Sequence, residues 1–437
     1  MRKLRALAAV AATSAFAQST VTVYGQADAA YTSIKSGTNS FSGLMGAGRG
    51  SNFVGFMGTE DLGGGLKAHF KIEAGYNVDN GTGAASNTNN QPNGAFATLQ
   101  GATASATLAG SPATRASIAG AQGLTFNRYS HVGLLGNFGE VRLGRDYTST
   151  FNAVLGADTT GANGVQNTLF QTLYIGQANS HANATNASNM IGYQTPNTFG
   201  GFGVKAQVFY GENQIGAEAA PTLMKGKSGD GTSIHAFFTQ GPFSAGFGTQ
   251  KTKGTSIVGS SNSSAAAASA TGAALTIAAG TAVSAIPGDY QVDAAYAKYD
   301  LGVILLTAGQ VTEKLATLGS NSIAADGKGT AAVAGQLKNA STVFGFSYPV
   351  NPMVKINGTY VTSKYTIAGT ESSKATQMGL QGMYALSKRT DLYANYAVTD
   401  NSVGSAYGVV NGSGRPAAVQ GTEAKTTAYQ IGVRHNF

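Results

Sequence analysis

The chain has 437 residues, of which only 11% are charged, and its formal net charge is +8. Soluble proteins carry about 25% charged residues and about 7% glycine, whereas this chain has 61 glycines and neither cysteine nor tryptophan. Its most apolar stretch, residues 265–283, is broken by serine, threonine and glycine, which excludes the run of about 20 apolar residues that a membrane-spanning helix needs.

The first residues have the pattern of a secretory signal peptide. Three of the first five are basic, an alanine- and valine-rich stretch follows, and Ala15-Phe16-Ala17 matches a cleavage site. We expect a signal peptide over residues 1–17 and one domain over residues 18–437; a cytosolic alanine-rich start is the alternative. Cleavage would remove three positive charges and lower the net charge from +8 to +5.

From residue 21 onward the dominant period is two. Val21 and Val23 alternate with Thr22 and Tyr24, and similar alternation returns over 66–73, 354–360 and 429–437. Such alternation places the two sets of side chains on opposite faces of a β-sheet. A soluble β-sandwich would bury the apolar face in its core, whereas a membrane barrel would turn that face to lipid and the polar face to its lumen.

The connections between these strands alternate between short and long. The short turns fall at 59–65, 136–139, 196–201, 241–242, 299–302, 349–352 and 387–391. The long polar loops fall at about 33–50, 79–123, 148–186, 213–230, 255–287, 315–338, 367–372 and 403–421. Seven turns and eight loops join sixteen strands, and this asymmetry is typical of a transmembrane β-barrel with short periplasmic turns and long extracellular loops.

Several segments resemble, in order and spacing, the trimeric general porins of Gram-negative outer membranes, and are closest to the β-proteobacterial type. They are residues 55–68 (GFMGTEDLGGGLKA), 138–145 (FGEVRLGR), 384–393 (YALSKRTDLY) and 429–437 (YQIGVRHNF). The resemblance implies an all-β, sixteen-stranded antiparallel barrel, a homotrimer, and a third loop folded into the lumen as a constriction, about 148–186 here. It also implies that Phe437 belongs to a membrane-assembly signal.

The alternation indicates which residues are candidates for lining the pore. Lys67, Lys71 and Glu73 fall on the polar face of one strand, and we expect Lys71 and Glu73 near the waist of the pore, where charged side chains select ions. Arg142 alternates with Val141 and Leu143 and should also face water. The alternative is that these side chains only make the inner wall hydrophilic and do not select ions.

The resemblance adds Arg128 and Arg145, which match arginine positions of the family, although Asn52 and Gly192 stand where relatives often carry arginine. The constriction loop is nearly uncharged, because Asp158 is the only Asp, Glu, Lys or Arg between Tyr147 and Lys205. One carboxylate facing several wall cations predicts a mild anion preference.

The sequence therefore predicts an outer-membrane porin for passive diffusion of small hydrophilic solutes and ions, with no enzymatic activity. The expected partners are a homotrimer, outer-membrane lipid and lipopolysaccharide; no cofactor, metal or nucleic acid is expected, since the five histidines are scattered and basic residues are not clustered. Two other functions stay open: a barrel enzyme, and an adhesive barrel whose alanine-, serine- and threonine-rich loops 79–123 and 255–287 bind a partner while the lumen is closed.

Overall fold

The computed structural model describes residues 20–37, 39–84, 107–108, 124–173, 175, 184–196, 200–211, 229–253, 275–276, 287–317, 335–367, 370–402 and 425–437. The predicted signal peptide 1–17 and most of the predicted loops 79–123, 213–230, 255–287, 315–338 and 403–421 lie outside these ranges.

One antiparallel sheet contains nearly all the strands, and it has sixteen positions that we number β1 to β16. The strands are β1 Thr20–Ser36, β2 in two segments (Asn39–Gly46 and Phe53–Gly63), β3 Leu66–Gly75, β4 Tyr129–Gly136, β5 Gly139–Tyr147, β6 Asn186–Gln194, β7 Phe202–Phe209, β8 Gly231–Gln240, β9 Phe243–Thr252, β10 Pro287–Asp300, β11 Leu305–Thr317, β12 Gly335–Pro349, β13 Val354–Ile367, β14 Thr370–Ala385, β15 Thr390–Asn401 and β16 Thr426–Asn436. Thr107–Leu108 and Leu275–Thr276 form a separate two-residue ladder.

Two short helices and a 3₁₀ turn complete the described elements. Helix α1 is Ser149–Val154, the 3₁₀ turn is Leu155–Ala157, and helix α2 is Leu169–Thr172. Within the described ranges, no helix is long and apolar enough to cross a membrane.

The sheet closes on itself. Strand β1 pairs with β2 on one side and with β16 on the other, from Gln26 opposite Asn436 to Ser36 opposite Thr426. Closure gives every strand two neighbours, and an open edge in hydrocarbon would cost several kcal/mol for each unpaired backbone group. The predicted sixteen-stranded antiparallel barrel is confirmed.

The two faces of the barrel are oriented as the membrane interpretation requires. On β1, Val21 and Val23 are about 60% exposed (61% and 58%), whereas Gln26 and Asp28 are 7% and 0% exposed on the inner face. The apolar set therefore points outward and the polar set inward, which is the reverse of a soluble β-sandwich.

All seven predicted turns join consecutive strands at one end of the barrel. Two boundaries differ from the expectation. Strand β2 continues to Gly63, so that its turn is only Gly64 and Gly65, both with positive φ. The predicted loop 33–50 is mostly strand, because β1 and the first segment of β2 pair up to Ser36 opposite Asn39. Its serines and glycines suggested a loop, but a sheet that extends beyond the apolar band needs no apolar outer face.

Candidate functional site: a constricted lumen

The chain leaves β5 and turns into the barrel. Thr148 caps α1, because its Oγ1 accepts a hydrogen bond from the backbone N of Phe151 at 3.2 Å. The buried side chains of Phe151 and Val154 then join one apolar cluster with Tyr290 and Val292 of β10. The inner wall is therefore apolar where the loop begins to cross it, and this burial holds the loop root in place.

The loop next follows a row of glycines on the inner wall. A Cβ atom added to Gly248 would lie 2.7 Å from Ala153 Cβ, and one added to Gly309 would lie 2.6 Å from Ala157 Cβ. At Gly345 and Gly379 the nearest loop atoms are Thr159 Cγ2 at 3.0 Å and Gln166 Cβ at 2.7 Å. We call these four residues, on β9, β11, β12 and β14, the glycine track; they let the loop backbone lie flat on the sheet.

Polar wall side chains bind the loop backbone along the same path. Ser149 N donates to Gln207 Oε1 at 2.7 Å, and Thr150 N donates to Ser233 Oγ at 2.8 Å. Further along, Thr307 Oγ1 donates to Ala157 O at 2.7 Å, Thr359 Oγ1 to Gln166 O at 3.1 Å, and Val165 N donates to Gln430 Oε1 at 3.0 Å. The predicted inward-folded third loop is thus present, and it is anchored across half the circumference of the barrel.

Asp158 joins two parts of this loop by hydrogen bonds. Its Oδ1 accepts hydrogen bonds from Thr160 N and Oγ1 at 2.5 and 2.7 Å, and its Oδ2 accepts from Thr168 Oγ1 at 2.8 Å. The side chain is only 9% exposed. The one carboxylate that the sequence places in the loop is therefore bound by the loop's own donors; it attracts Lys298 of β10 on the wall but forms no ion pair with it.

An inward excursion of the chain between the two segments of β2, residues 47–52, meets the loop tip. Gly164 N donates to Ala47 O at 2.9 Å, and Ser51 Oγ donates to Asn163 Oδ1 at 3.0 Å. Gly164 has a positive φ of 77°, and a Cβ there would collide with Gly48 O. The excursion and the loop tip are therefore in backbone contact, and we call this contact the tip clamp.

Asp28 of β1 organises the tip clamp. Its carboxylate accepts hydrogen bonds from three consecutive backbone N atoms, of Gly48 at 3.2 Å, Arg49 at 2.9 Å and Gly50 at 2.7 Å. Tyr393 of β15 donates its hydroxyl to the same carboxylate. Successive backbone N–H groups form a concave anion site, so the buried charge of Asp28 sets the shape of the excursion.

The wall that faces the loop carries two charged clusters. In the first, Glu73 accepts from Tyr24 Oη at 2.7 Å, from Arg128 Nε at 3.0 Å and from Lys71 Nζ at 2.9 Å. Lys71 Nζ also lies 3.7 Å from the centroid of the Tyr129 ring. The structure thus brings the predicted residues Lys71, Glu73 and Arg128 into one network.

The second cluster surrounds Arg142. Its guanidinium binds Glu140 through two hydrogen bonds of 2.6 and 2.8 Å and Asp146 through one of 2.7 Å. His69 Nε2 lies 3.0 Å from Glu140 Oε1. The second cluster and Lys71 of the first line a lumen cavity of about 480 Å³, which Tyr147 and Asn152 border on the loop side.

Two predicted residues lie elsewhere. Lys67 is exposed on β3, four residues from Lys71 toward the turn, and so stands near the mouth at the turn end of the barrel. Arg145 is 6% exposed and donates to Asn127 O at 2.6 Å and to Ser188 Oγ at 2.8 Å. A register shift between Gly144 and Asp146 accompanies this placement, and Arg145 supports the loop root inside the wall.

The acidic partners Glu140 and Asp146, and Lys298 of β10, are not among the residues predicted from the sequence. Alternation with Arg142 indicates the inward direction of Glu140, but nothing in the sequence names its partner. Lys298 Nζ lies 5.6 Å from the ring centroid of Tyr296 on the inner face. Within the described ranges, no group of three His, Asp or Glu side chains could hold a metal ion.

A closed membrane barrel whose water-filled lumen is narrowed by an inward loop between charged walls is a passive diffusion channel. The chain belongs to the Gram-negative porin family, whose model matches residues 5–405. It is 29% identical to outer membrane porin protein 32 of Delftia acidovorans over all of this chain and 99% of that protein. The protein is accordingly an outer-membrane porin that lets small hydrophilic solutes and ions diffuse passively.

Solved structures agree with this assignment. The anion-selective porin from Comamonas acidovorans superposes with a TM-score of 0.67 at 26% identity, covering 96% of this chain and all of that one. The trimer form of OmpT from Vibrio cholerae superposes with a TM-score of 0.59 at 14% identity over 96% of this chain and 99% of that one, which supports the fold alone.

Proposed function

We propose that this porin is a homotrimeric channel with a mild preference for small anions. The single observation that carries the preference is the placement of charge in the lumen, since Asp28 and Asp158 are buried against donors of the chain itself. The carboxylates of Glu73, Glu140 and Asp146 are each paired with lysine or arginine. In contrast, within the described part of the chain no carboxylate oxygen lies within 4.0 Å of Lys205 or Lys298 on the inner wall.

Lys205 lines the same cavity as Lys71 and the cluster around Arg142. An ion that passes about 8 Å from one unit charge in water gains on the order of 0.5 kcal/mol, or about a twofold change in its local concentration. The arginines and Lys71 add less than their number suggests, because carboxylates offset their charge. These lysines have no close ion-pair partner, and the more distant carboxylates of Glu140, Asp146 and Asp158 offset part of their charge, so the preference is mild and not a strict exclusion of cations.

Relatives support two parts of the proposal. The similar Comamonas acidovorans porin is described as anion-selective, and OmpT, an outer membrane protein of Vibrio cholerae with the same fold, as a trimer form. We further propose that Lys67, Lys71, Glu73, Arg128 and Arg142 border the ion path, that Asp158 and Arg145 hold the constriction in shape, and that lipopolysaccharide surrounds the trimer. No catalytic role is proposed; a hydrolase screen on purified protein that gave turnover would overturn this.

The test is reconstitution in a planar bilayer with a tenfold KCl gradient. We expect discrete conductance steps that occur in threes and a reversal potential whose sign corresponds to a chloride permeability a few times that of potassium. A strongly cation-selective reversal potential would refute the anion preference while leaving the channel function intact. Folded protein without conductance would favour the adhesive barrel.

A further inference from the structure

Three aromatic side chains lie together on the inner wall of the barrel, beside the root of the constriction loop. They are His235 and Phe237 of β8 and Tyr296 of β10, which we call the aromatic patch. The ring centroid of His235 lies 5.2 Å from that of Phe237 and 5.9 Å from that of Tyr296. Phe237 and Tyr296 keep part of their surface exposed. Because the lumen of such a barrel is normally polar, exposed aromatic surface there requires an explanation.

The aromatic patch lies on the turn side of the loop. In the register of the sheet, Gly246 of β9 stands between Phe237 and Tyr296, two residues from Gly248, on which the loop rests. Tyr296 also touches the loop, since a Cβ atom added to Gly156 would lie 2.2 Å from its ring. A solute that enters or leaves the constriction at the turn end of the barrel therefore passes this patch.

Two lysines flank the aromatic patch. Lys205 of β7 is directly opposite His235 in the register, and Lys298 Nζ lies 5.6 Å from the ring centroid of Tyr296. In the part of the chain that the structure describes, neither lysine has a carboxylate oxygen within 4.0 Å. The wall thus places two cations without close ion-pair partners beside an aromatic surface.

The imidazole of His235 adds an independent sign of a missing partner. The side chain is 4% exposed, and neither of its ring nitrogens has a hydrogen-bond partner within the described ranges. Buried polar side chains are nearly always paired. An anionic oxygen that binds Lys205 would come close to this ring, because cross-strand neighbours in such a pair have Cβ atoms only about 5 Å apart.

We propose that the aromatic patch is a binding site for small aromatic carboxylates. The ring of the solute lies on Phe237 and Tyr296, and its carboxylate is held by Lys205 beside His235. Chloride gains nothing from the aromatic surface, whereas a planar aromatic anion gains from both features. The proposal names a solute class within the proposed anion preference and rests on it for the attraction of the charge, but the contact with the ring is a separate contribution.

The experiment is the block of KCl current through reconstituted channels by sodium benzoate. Acetate carries the same carboxylate without a ring, and benzyl alcohol carries the ring without a charge. The test variant is Phe237→Leu, which keeps an apolar side chain over Gly203. The matched control is Phe247→Leu, which removes the same ring from the outer face of the neighbouring strand β9. The heat-dependent shift in gel mobility shows that each variant is folded.

We expect benzoate to block wild-type channels at a concentration about tenfold lower than acetate, because most of its ring is removed from water at the patch. Benzyl alcohol should not block at that concentration. Phe237→Leu should require about two- to tenfold more benzoate than wild type, with acetate unchanged. Phe247→Leu should behave like wild type, and Lys205→Met should weaken the block by benzoate and by acetate alike.

Equal half-blocking concentrations of benzoate and acetate would overturn the proposal. An unchanged benzoate block in Phe237→Leu, an equal loss in Phe237→Leu and Phe247→Leu, or a block by benzyl alcohol at the same concentration would also overturn it. The reversal potential in KCl separates this result from the proposed function. A channel that prefers potassium refutes the anion preference, whereas a channel that prefers chloride but blocks equally with benzoate and acetate refutes only the aromatic site.

Discussion

The electrostatic character of the lumen depends on which carboxylate each cation meets. Arg142 and Lys71 are both predicted from alternation to face water, but each has a carboxylate as its partner, whereas Lys205 has none within 4.0 Å in the described chain. A count of basic residues therefore overstates the positive field.

Replacement of Lys205 tests this directly. We expect Lys205→Met to lower the ratio of chloride to potassium permeability by up to about twofold, because one unit charge without a close ion-pair partner is removed and the side-chain length is kept. The reversal potential in a KCl gradient measures the ratio. The control is Lys251→Met, which removes a lysine on the outer face. A ratio that is unchanged in Lys205→Met, or changed equally in both variants, would contradict the assignment.

Asp28 illustrates a buried charge that acts on shape. It is fully buried, and four donors from the excursion and from β15 surround it. A carboxylate without these donors would be costly to bury, and the donors without the carboxylate would be unsatisfied. The tip clamp is thus a cooperative unit in which Asp28 cannot be replaced by an apolar residue without loss.

We predict that Asp28→Ala releases the loop tip. The hydrogen bonds to a charged acceptor are worth about 1.5–3 kcal/mol each, so the excursion should no longer hold Gly164 in place. Single-channel recordings should show larger current fluctuations in the open state. Tyr393→Phe removes one donor only and should give a smaller effect of the same kind. Open-state current fluctuations of the same size in wild type and Asp28→Ala would show that the loop is held in place without the tip clamp.

At the scale of elements, the constriction results from a match between one loop and one row of wall residues. Glycines on four strands lie where the loop backbone passes, and polar side chains beside them bind its carbonyl and amide groups. The loop therefore has one position in the described structure, fixed at its root by apolar burial, along its length by the glycine track, and at its tip by Asp28.

A larger residue on the glycine track should displace the loop toward the lumen. A Cβ at Gly345 would lie 2.7 Å from Thr307 Oγ1 and 3.0 Å from Thr159 Cγ2, so Gly345→Val is expected to lower single-channel conductance and to destabilise the protein by about 1–3 kcal/mol. The matched control is Gly382→Val on β14, where a Cβ would meet no atom within 4 Å. Conductance that falls equally in both variants would argue against displacement of the loop.

At the scale of the whole molecule, the sequence predicted the features that neighbouring residues of one strand or turn determine. Alternation over a few residues indicated the inner face of Glu73 and Arg142, and turn composition indicated where each hairpin reverses. Partners could not be predicted, because Asp28 and Tyr393 meet only after the barrel closes, and Glu73 and Arg128 meet only after β3 and β4 pair across a long connection. Asp158 was misleading for the same reason: its charge is visible in the sequence, but its threonine donors are defined only by the folded loop.

The pairing of β1 with β16 that closes the barrel ends in one further contact, between Gly25 and Phe437. Gly25 and Phe437 exchange two backbone hydrogen bonds of 3.0 and 3.1 Å. The Phe437 ring lies over Gly25, where an added Cβ would collide with that ring and would lie 2.6 Å from Phe53 O. The absence of a side chain at Gly25 thus leaves room for Phe437, and this gives a physical role to the aromatic residue of the predicted assembly signal.

We predict that Gly25→Ala slows assembly and destabilises the barrel by about 1–3 kcal/mol, because the ring must leave its site or the strands must separate. Deletion of Phe437 should be more severe, since it removes the ring and both hydrogen bonds. Folding into lipid vesicles, followed by the heat-dependent shift in gel mobility, measures both effects. Gly382→Ala, which adds the same methyl group in open space on β14, is the control and should fold like wild type. Gly25→Ala that folds as fast and as completely as this control would show that closure tolerates displacement of the Phe437 ring.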